Sequence, residues 1–249
     1  MNRYGLIGFP LSHSFSETFF ANKFRQESIT DSIYQNFPIE NIQEIHKLIA
    51  DVPDLKGLNI TIPYKEKILP YLTDCNETVK AIGACNCIKI HADNLSGYNT
   101  DAIGFEKSLV RHLESYHSKA LILGEGGAAK AVAYVFKKLG IEYIYVVRRG
   151  ESTHDKILFR DLSDSLIASH TIIVNSTPVG MHPNFHESPF INYDILTSQH
   201  YLYDLIYNPV KTLFLQKGEA KGAFIKNGYE MLESQAEESW RIWTGKTSS

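Results

Sequence analysis

Cysteine is scarce in this chain, and what there is excludes more than it suggests. Three cysteines in 249 residues, Cys75, Cys85 and Cys87, are odd in number and form no Cys-x-x-Cys pair. Cys85 and Cys87 lie too close in sequence for a zinc knuckle. A disulfide framework and a cysteine zinc site are therefore not expected, and a reducing cytoplasm is. His182 and His186 flank Pro183 without a third ligand nearby, so no metal is expected either. Long apolar runs are lacking: none approaches the ~18 residues that cross a bilayer. The start, Met1-Asn2-Arg3-Tyr4-Gly5-Leu6-Ile7-Gly8, holds only a short apolar strand before Pro10, which does not read as a signal peptide. Charge is not in excess, with 25 Lys and Arg against 28 Asp and Glu and a net charge of -3. That balance gives no support to nucleic-acid binding, for which a basic face is needed. An anionic small molecule would have to be met by a few placed cations. Internal repeats and low-complexity linkers are also absent.

What is present is an ordinary globular composition, 43% hydrophobic and 21% charged, with enough chain for two modest domains. Strand-like and helix-like segments alternate. Strands are expected at 4–9, 32–37 and 58–62, with helices at 16–26 and 41–50, the latter opened by Asn41 as N-cap. Residues 87–91 and 97–98 resemble a hairpin, and a helix is expected from Asp101 to about 113. A fresh start follows: a strand at 119–123, a glycine turn, a helix at 128–139 stopped by Gly140, and a β-branched, aromatic strand at 141–147. Further strands at 171–175 and 201–204 and an amphipathic helix from Gly228 complete the chain. Alternation of this kind implies an α/β protein with mostly parallel sheets.

The turn Gly124-Glu125-Gly126-Gly127-Ala128-Ala129 has the Gly-x-Gly-x-x-Ala spacing between a strand and a helix. Glycines there let backbone approach a pyrophosphate, which the helix N-terminus stabilises. Gly124, Gly126, Gly127 and Ala128 are the expected contacts. An acidic residue ~20 positions on would favour NAD. The chain instead offers Arg148 and Arg149, whose planar donors suit a 2′-phosphate, with Glu151 close by. NADP(H) is the expected cofactor.

Asn59-Ile60-Thr61-Ile62-Pro63-Tyr64-Lys65 sets one lysine after an apolar strand and a proline, where a helix is expected to begin. Burial of such an ammonium favours proton transfer. Three further segments accompany it: Gly8-Phe9-Pro10-Leu11-Ser12-His13-Ser14-Phe15-Ser16, Gly83-Ala84-Cys85-Asn86 and Asn99-Thr100-Asp101. With Asn175-Ser176-Thr177-Pro178-Val179-Gly180-Met181, Asp204-Leu205-Ile206-Tyr207-Asn208-Pro209 and Gly228 to Gln235, they resemble the shikimate dehydrogenase family from Gly8 to Gln235.

That resemblance implies the rest. Lys65 would be the catalytic lysine and Asp101 its partner. Ser14 and Ser16 would hold the substrate carboxylate, and Thr61, Asn86, Tyr207 and Gln235 would contact substrate. Thr177 and Met181 would lie beside the cofactor. Residues 1–101, completed by a helix at 228–249, would form the substrate-binding domain, and 102–227 a Rossmann-like dinucleotide domain. The reaction implied is NADPH-dependent reduction of 3-dehydroshikimate to shikimate, in chorismate and aromatic amino-acid biosynthesis, by a cytoplasmic monomer or homodimer.

The residues also admit plainer roles. Ser16 and Asp101 suit helix N-caps, Asn86 a turn, Tyr207 a packed aromatic and Gln235 a polar helix face. Two departures from the family stand out: Glu125 where it has alanine, and Arg148-Arg149-Gly150 where it has Asn-Arg-Thr. A carboxylate at the first position repels a pyrophosphate unless its side chain is turned away. A quinate/shikimate dehydrogenase using NAD and a non-catalytic NADP(H)-binding sensor are the alternative functions.

Overall fold

Apolar strands separated by amphipathic helices give the chain its layers in a computed structural model, which describes residues 1–11, 15–92 and 94–245. In order, the elements are β1 (Asn2–Gly8), α1 (Phe15–Gln26), β2 (Ser32–Pro38), α2 (Ile45–Asp51), β3 (Leu55–Ile60), β4 (Asp74–Cys75), α3 (Glu77–Ile82), β5 (Cys87–His91), β6 (Asn94–Tyr98) and α4 (Thr100–Val110). They continue as β7 (Lys119–Leu123), α5 (Gly127–Leu139), β8 (Glu142–Val147), β9 (Lys156–Leu158), α6 (Asp164–Ser169), β10 (Ile172–Asn175), β11 (Tyr201–Asp204), α7 (Leu213–Glu219), β12 (Phe224–Lys226) and α8 (Tyr229–Thr244). Two compact units result: Met1–Ile103 together with the chain from Gln235, and Gly104–Ser234. The divisions fall inside α4 and α8.

The first unit carries a six-stranded mixed sheet of order β2-β1-β3-β5-β6-β4. Successive strand residues point to opposite faces, so neighbours in β1 feed two cores. Ile7 joins Ile45, Leu58, Ile60, Ile68 and Ile88. Tyr4 and Leu6 join Phe20, Tyr34 and the α8 residues Ala236, Trp240 and Trp243. Trp243 stacks on Tyr4 at 4.9 Å between ring centroids and donates its indole N–H to the Ile88 carbonyl at 2.9 Å. This is possible because residue 57 is glycine: a Cβ there would lie 2.3 Å from the indole ring. Gly57→Ala is expected to displace Trp243 and destabilise the protein by roughly 1–3 kcal/mol, the usual penalty of overpacking. Thermal unfolding measures it, and an unchanged melting temperature would contradict this packing.

The second unit carries a six-stranded parallel sheet of order β12-β11-β10-β7-β8-β9. A parallel sheet is covered on both faces, which is why Ala120, Leu121, Ile122 and Leu123 are all fully buried. Helix α5 buries Ala129, Val132, Ala133 and Phe136. It ends at Gly140, left-handed at φ 70°, as its position in sequence predicts.

Several boundaries differ from the sequence reading. The strand expected at 58–62 runs from Leu55 to Ile60, and β6 begins at Asn94. No α-helix starts at Lys65: the chain makes one helical turn, Ile68 N–H to Tyr64 carbonyl at 2.9 Å, then a 3-10 turn at Leu69–Tyr71. Pro70 explains this, since it has no N–H to continue an α-helical ladder. Strands β4, β9 and β12 were not anticipated; two or three residues carry too little periodicity to read. Among the described residues no helix is long and apolar enough to cross a membrane.

Candidate active site

Lys65 is held from both sides of its backbone. The Tyr64 hydroxyl donates to the Ile39 carbonyl at 2.7 Å in the core, and the Lys65 carbonyl accepts from the Cys85 N–H at 2.7 Å. Its Nζ donates to Asp101 Oδ2 at 2.6 Å, with the two side chains 17% and 9% exposed. Asp101 does not cap α4, contrary to one sequence reading. Asn99 does so, its Oδ1 accepting the Ala102 N–H at 3.1 Å, while its amide donates to the Ala84 carbonyl at 2.9 Å. The Asp101 carboxylate is left in the first helical turn, where the helix dipole favours a negative charge, and is available to the lysine. The ammonium thus has a fixed direction.

Asn86 is buried, not a surface turn residue. Its Oδ1 accepts the Thr100 N–H at 2.6 Å and its amide donates to Thr100 Oγ1 at 3.0 Å. Thr100 Oγ1 also lies 3.4 Å from Gln235 Oε1 and 3.2 Å from Ser239 Oγ. Ser239 in turn accepts from the Asn59 amide at 2.9 Å, and Asn59 Oδ1 accepts the Tyr34 hydroxyl at 2.9 Å. Ser16 sits within the first turn of α1, so it is not the cap of that helix. Thr61 is half-buried, against Gly8, where a Cβ would come within 2.4 Å of its methyl. Lys65, Asp101, Asn86, Gln235, Thr61 and Ser16 share one unit, and a buried polar network runs from Tyr34 to Thr100, one residue before Asp101. Ser14 lies outside the described residues.

In the second unit the glycine turn has the shape a dinucleotide needs. Gly124 is at φ 105°, and a Cβ there would meet Ser176 Oγ at 2.9 Å and Thr177 Cγ2 at 3.1 Å. A Cβ on Gly126 would meet nothing within 4 Å, so the backbone opens onto free space at the N-terminus of α5. Gly126 is the N-cap and makes no side-chain cap bond, leaving the first-turn N–H groups of Gly127 and Ala128 suited to an anion. Arg148 and Arg149 are exposed at the end of β8 and make no salt bridge among the described residues. Thr177 N–H and Oγ1 both bond Asn175 Oδ1, at 3.1 and 2.7 Å. Met181 is 46% exposed. Tyr207 is half-buried after β11, and burial pushes its phenol up. These features fit NADP(H): glycines at 124, 126 and 127 that leave backbone open to the pyrophosphate, and guanidinium groups for a 2′-phosphate.

Four residues near these sites escaped the sequence reading. Tyr34 and Ser239 join the first network, and nothing local in sequence marks them. Lys156 bonds Glu125 at 2.5 Å from a strand too short to predict. Asp204 stands inside a quoted segment, yet its role as the buried acceptor for Asn175, at 3.0 Å, needs the fold to be seen. No cluster of three or more His, Cys, Asp or Glu that could hold a metal occurs among the described residues.

Residues 6–88 match the shikimate dehydrogenase substrate binding domain. A shikimate dehydrogenase (NADP(+)) of Caldicellulosiruptor bescii is 39% identical, covering 98% of this chain and 89% of its own. The crystal structure of shikimate dehydrogenase from Aquifex aeolicus superposes with a TM-score of 0.87 at 33% identity, over 100% of this chain and 94% of the other. The Thermus thermophilus enzyme in complex with NADP(H) and shikimate gives a TM-score of 0.88 at 27% identity, over 100% and 95%. With likeness of this extent in sequence and in fold, around a paired lysine and aspartate, the chain belongs to the shikimate dehydrogenase family.

Proposed function

We propose that the chain catalyses the reversible NADPH-dependent reduction of 3-dehydroshikimate to shikimate, a step toward chorismate and the aromatic amino acids. The observation that carries this is the Lys65–Asp101 pair at 2.6 Å, set beside a buried array of amides and hydroxyls. Relatives named for this NADP(+)-linked activity support it. The unit of Met1–Ile103 with the chain from Gln235 is the substrate-binding part, and Gly104–Ser234 the dinucleotide-binding part. Three free thiols suit a reducing cytoplasm.

NADPH, when bound, supplies the hydride. Lys65 gives the proton from Nζ to the carbonyl oxygen as charge develops there, and takes it back in the oxidative direction. Asp101 orients the ammonium. Ser14 and Ser16 hold the carboxylate of the substrate. Thr61, Asn86, Tyr207 and Gln235 orient its hydroxyls, because a small polyhydroxylated acid needs several placed partners. Gly124, Gly126, Gly127 and Ala128 cradle the pyrophosphate, Arg148 and Arg149 bind the 2′-phosphate, and Thr177 and Met181 flank the cofactor.

The test is a spectrophotometric assay of 3-dehydroshikimate with NADPH and with NADH. Hydrogen bonds to a charged group contribute ~1.5–3 kcal/mol, so kcat/KM should favour NADPH by roughly 10–100-fold. Equal rates with both cofactors, or good turnover of quinate, would overturn this reading in favour of a quinate/shikimate enzyme.

A further inference from the structure

A carboxylate on the glycine turn is an obstacle to a dinucleotide, and the fold removes it. Glu125 stands between Gly124 and Gly126, where the backbone meets the diphosphate on the reading above. Its side chain does not stay over the turn. It reaches across β8 to Lys156 on β9, with Nζ to Oε2 at 2.5 Å. The register explains the reach: Ile122, Tyr145 and Lys156 are aligned across β7, β8 and β9. Residues in register on a parallel sheet share a face, so Lys156 rises on the same face as Tyr145. The Glu125 charge lies close enough to Tyr145 to help hold its phenol up, after burial as the main cause.

We propose that Lys156 is a positioning residue for dinucleotide binding, which draws the Glu125 carboxylate off the glycine turn and neutralises it, so that this turn accepts a pyrophosphate. The inference rests on the NADP(H) reading of the site and explains how the chain tolerates an acidic residue there. Without Lys156 the carboxylate would be free to swing over the turn, unpaired, against the two negative charges of the diphosphate. The pair itself is half-exposed, at 33% and 51%, and ion pairs of this kind add little to folding stability. Its loss can therefore be read in ligand binding.

The experiment is calorimetric titration of the full chain with NADP+, for the parent, Lys156→Met, Glu125→Ala and the double variant. Lys156→Met should weaken NADP+ binding by about 10-fold, the order expected of an added like charge near the surface of the site. Raising salt from about 50 to about 500 mM should shrink the deficit, since screening weakens repulsion. Glu125→Ala should bind within about two-fold of the parent, and the double variant should regain that affinity. A double variant as weak as Lys156→Met would make Lys156 a direct ligand and overturn the proposal. Equal weakening by both single variants, insensitive to salt, would make the pair a structural staple and overturn it too. Failure of the parent to bind NADP+ would instead bring down the cofactor reading, and this inference with it.

Discussion

Replacing Lys65 by methionine is expected to lower kcat for 3-dehydroshikimate reduction by about 10²–10⁴-fold, the usual contribution of a placed general acid. Methionine keeps the apolar stem that the site encloses and removes only the proton. The affinity for NADP+ should hold, because every residue assigned to the cofactor belongs to the other compact unit. The variant leaves the Asp101 carboxylate, 9% exposed, without its cation, and breaking a buried pair in this way costs up to ~3–5 kcal/mol. A Lys65→Met/Asp101→Asn chain removes that unpaired charge and separates catalysis from folding. If the double variant unfolds like the parent and binds NADP+ but does not turn over, the loss is chemical. Unchanged turnover in either variant would take Lys65 out of the mechanism. A parent that binds NADP+ but never reduces substrate would be a sensor.

The parts legible in the sequence were those set by local patterns. The β7 run, the glycine turn, α5 and Gly140 follow one another in chain order, and each has a backbone reason to be where it is. Lys65 and Asp101 were legible as a pair only because the family resemblance joined segments 36 residues apart. The sequence leaves the cap of α4 open, since Asn99 and Asp101 are both good cap residues and only the start of α4 at Thr100 chooses between them. The Asn59–Ser239 contact spans 180 positions, and no periodicity reports a hydrogen bond of that range. Glu125 could be seen as an obstacle from sequence, but not its remedy, because Lys156 reaches it through the register of three strands.

Asp204 should give the protein a pH dependence opposite to that of an ion-paired carboxylate. It is fully buried, and among the described residues no cation pairs with it. Its oxygens accept from Thr212 Oγ1 at 2.5 Å, Asn175 Nδ2 at 3.0 Å and the Ile206 N–H at 3.0 Å. Burial outweighs these donors and pushes its pKa up to about 7, against ~3.9 in an unfolded chain. Between those values the folded protein keeps a proton that the unfolded chain has released. The stabilisation is fully present below about pH 4, declines as pH rises and is gone above about pH 7, at up to ~1.4 kcal/mol per pH unit. Asp204→Asn removes the titration and preserves the shape: the amide oxygen can accept from Asn175 and Ile206, and the amide nitrogen can donate to Thr212. Urea unfolding of parent and variant at about pH 5 and about pH 8 should therefore show the parent losing about 2–3 kcal/mol relative to the variant over that interval. Parallel pH dependence in the two proteins would contradict the assignment. Asp204→Ala has no such compensation. It strips acceptors from Asn175, Ile206 and Thr212 at ~1–3 kcal/mol for each donor left unsatisfied. Because Asn175 fixes Thr177 and Val179, that variant should weaken NADP+ binding as well as stability. A buried carboxylate remote in sequence from the glycine turn thus sets the loop that carries Thr177, and does so through one amide.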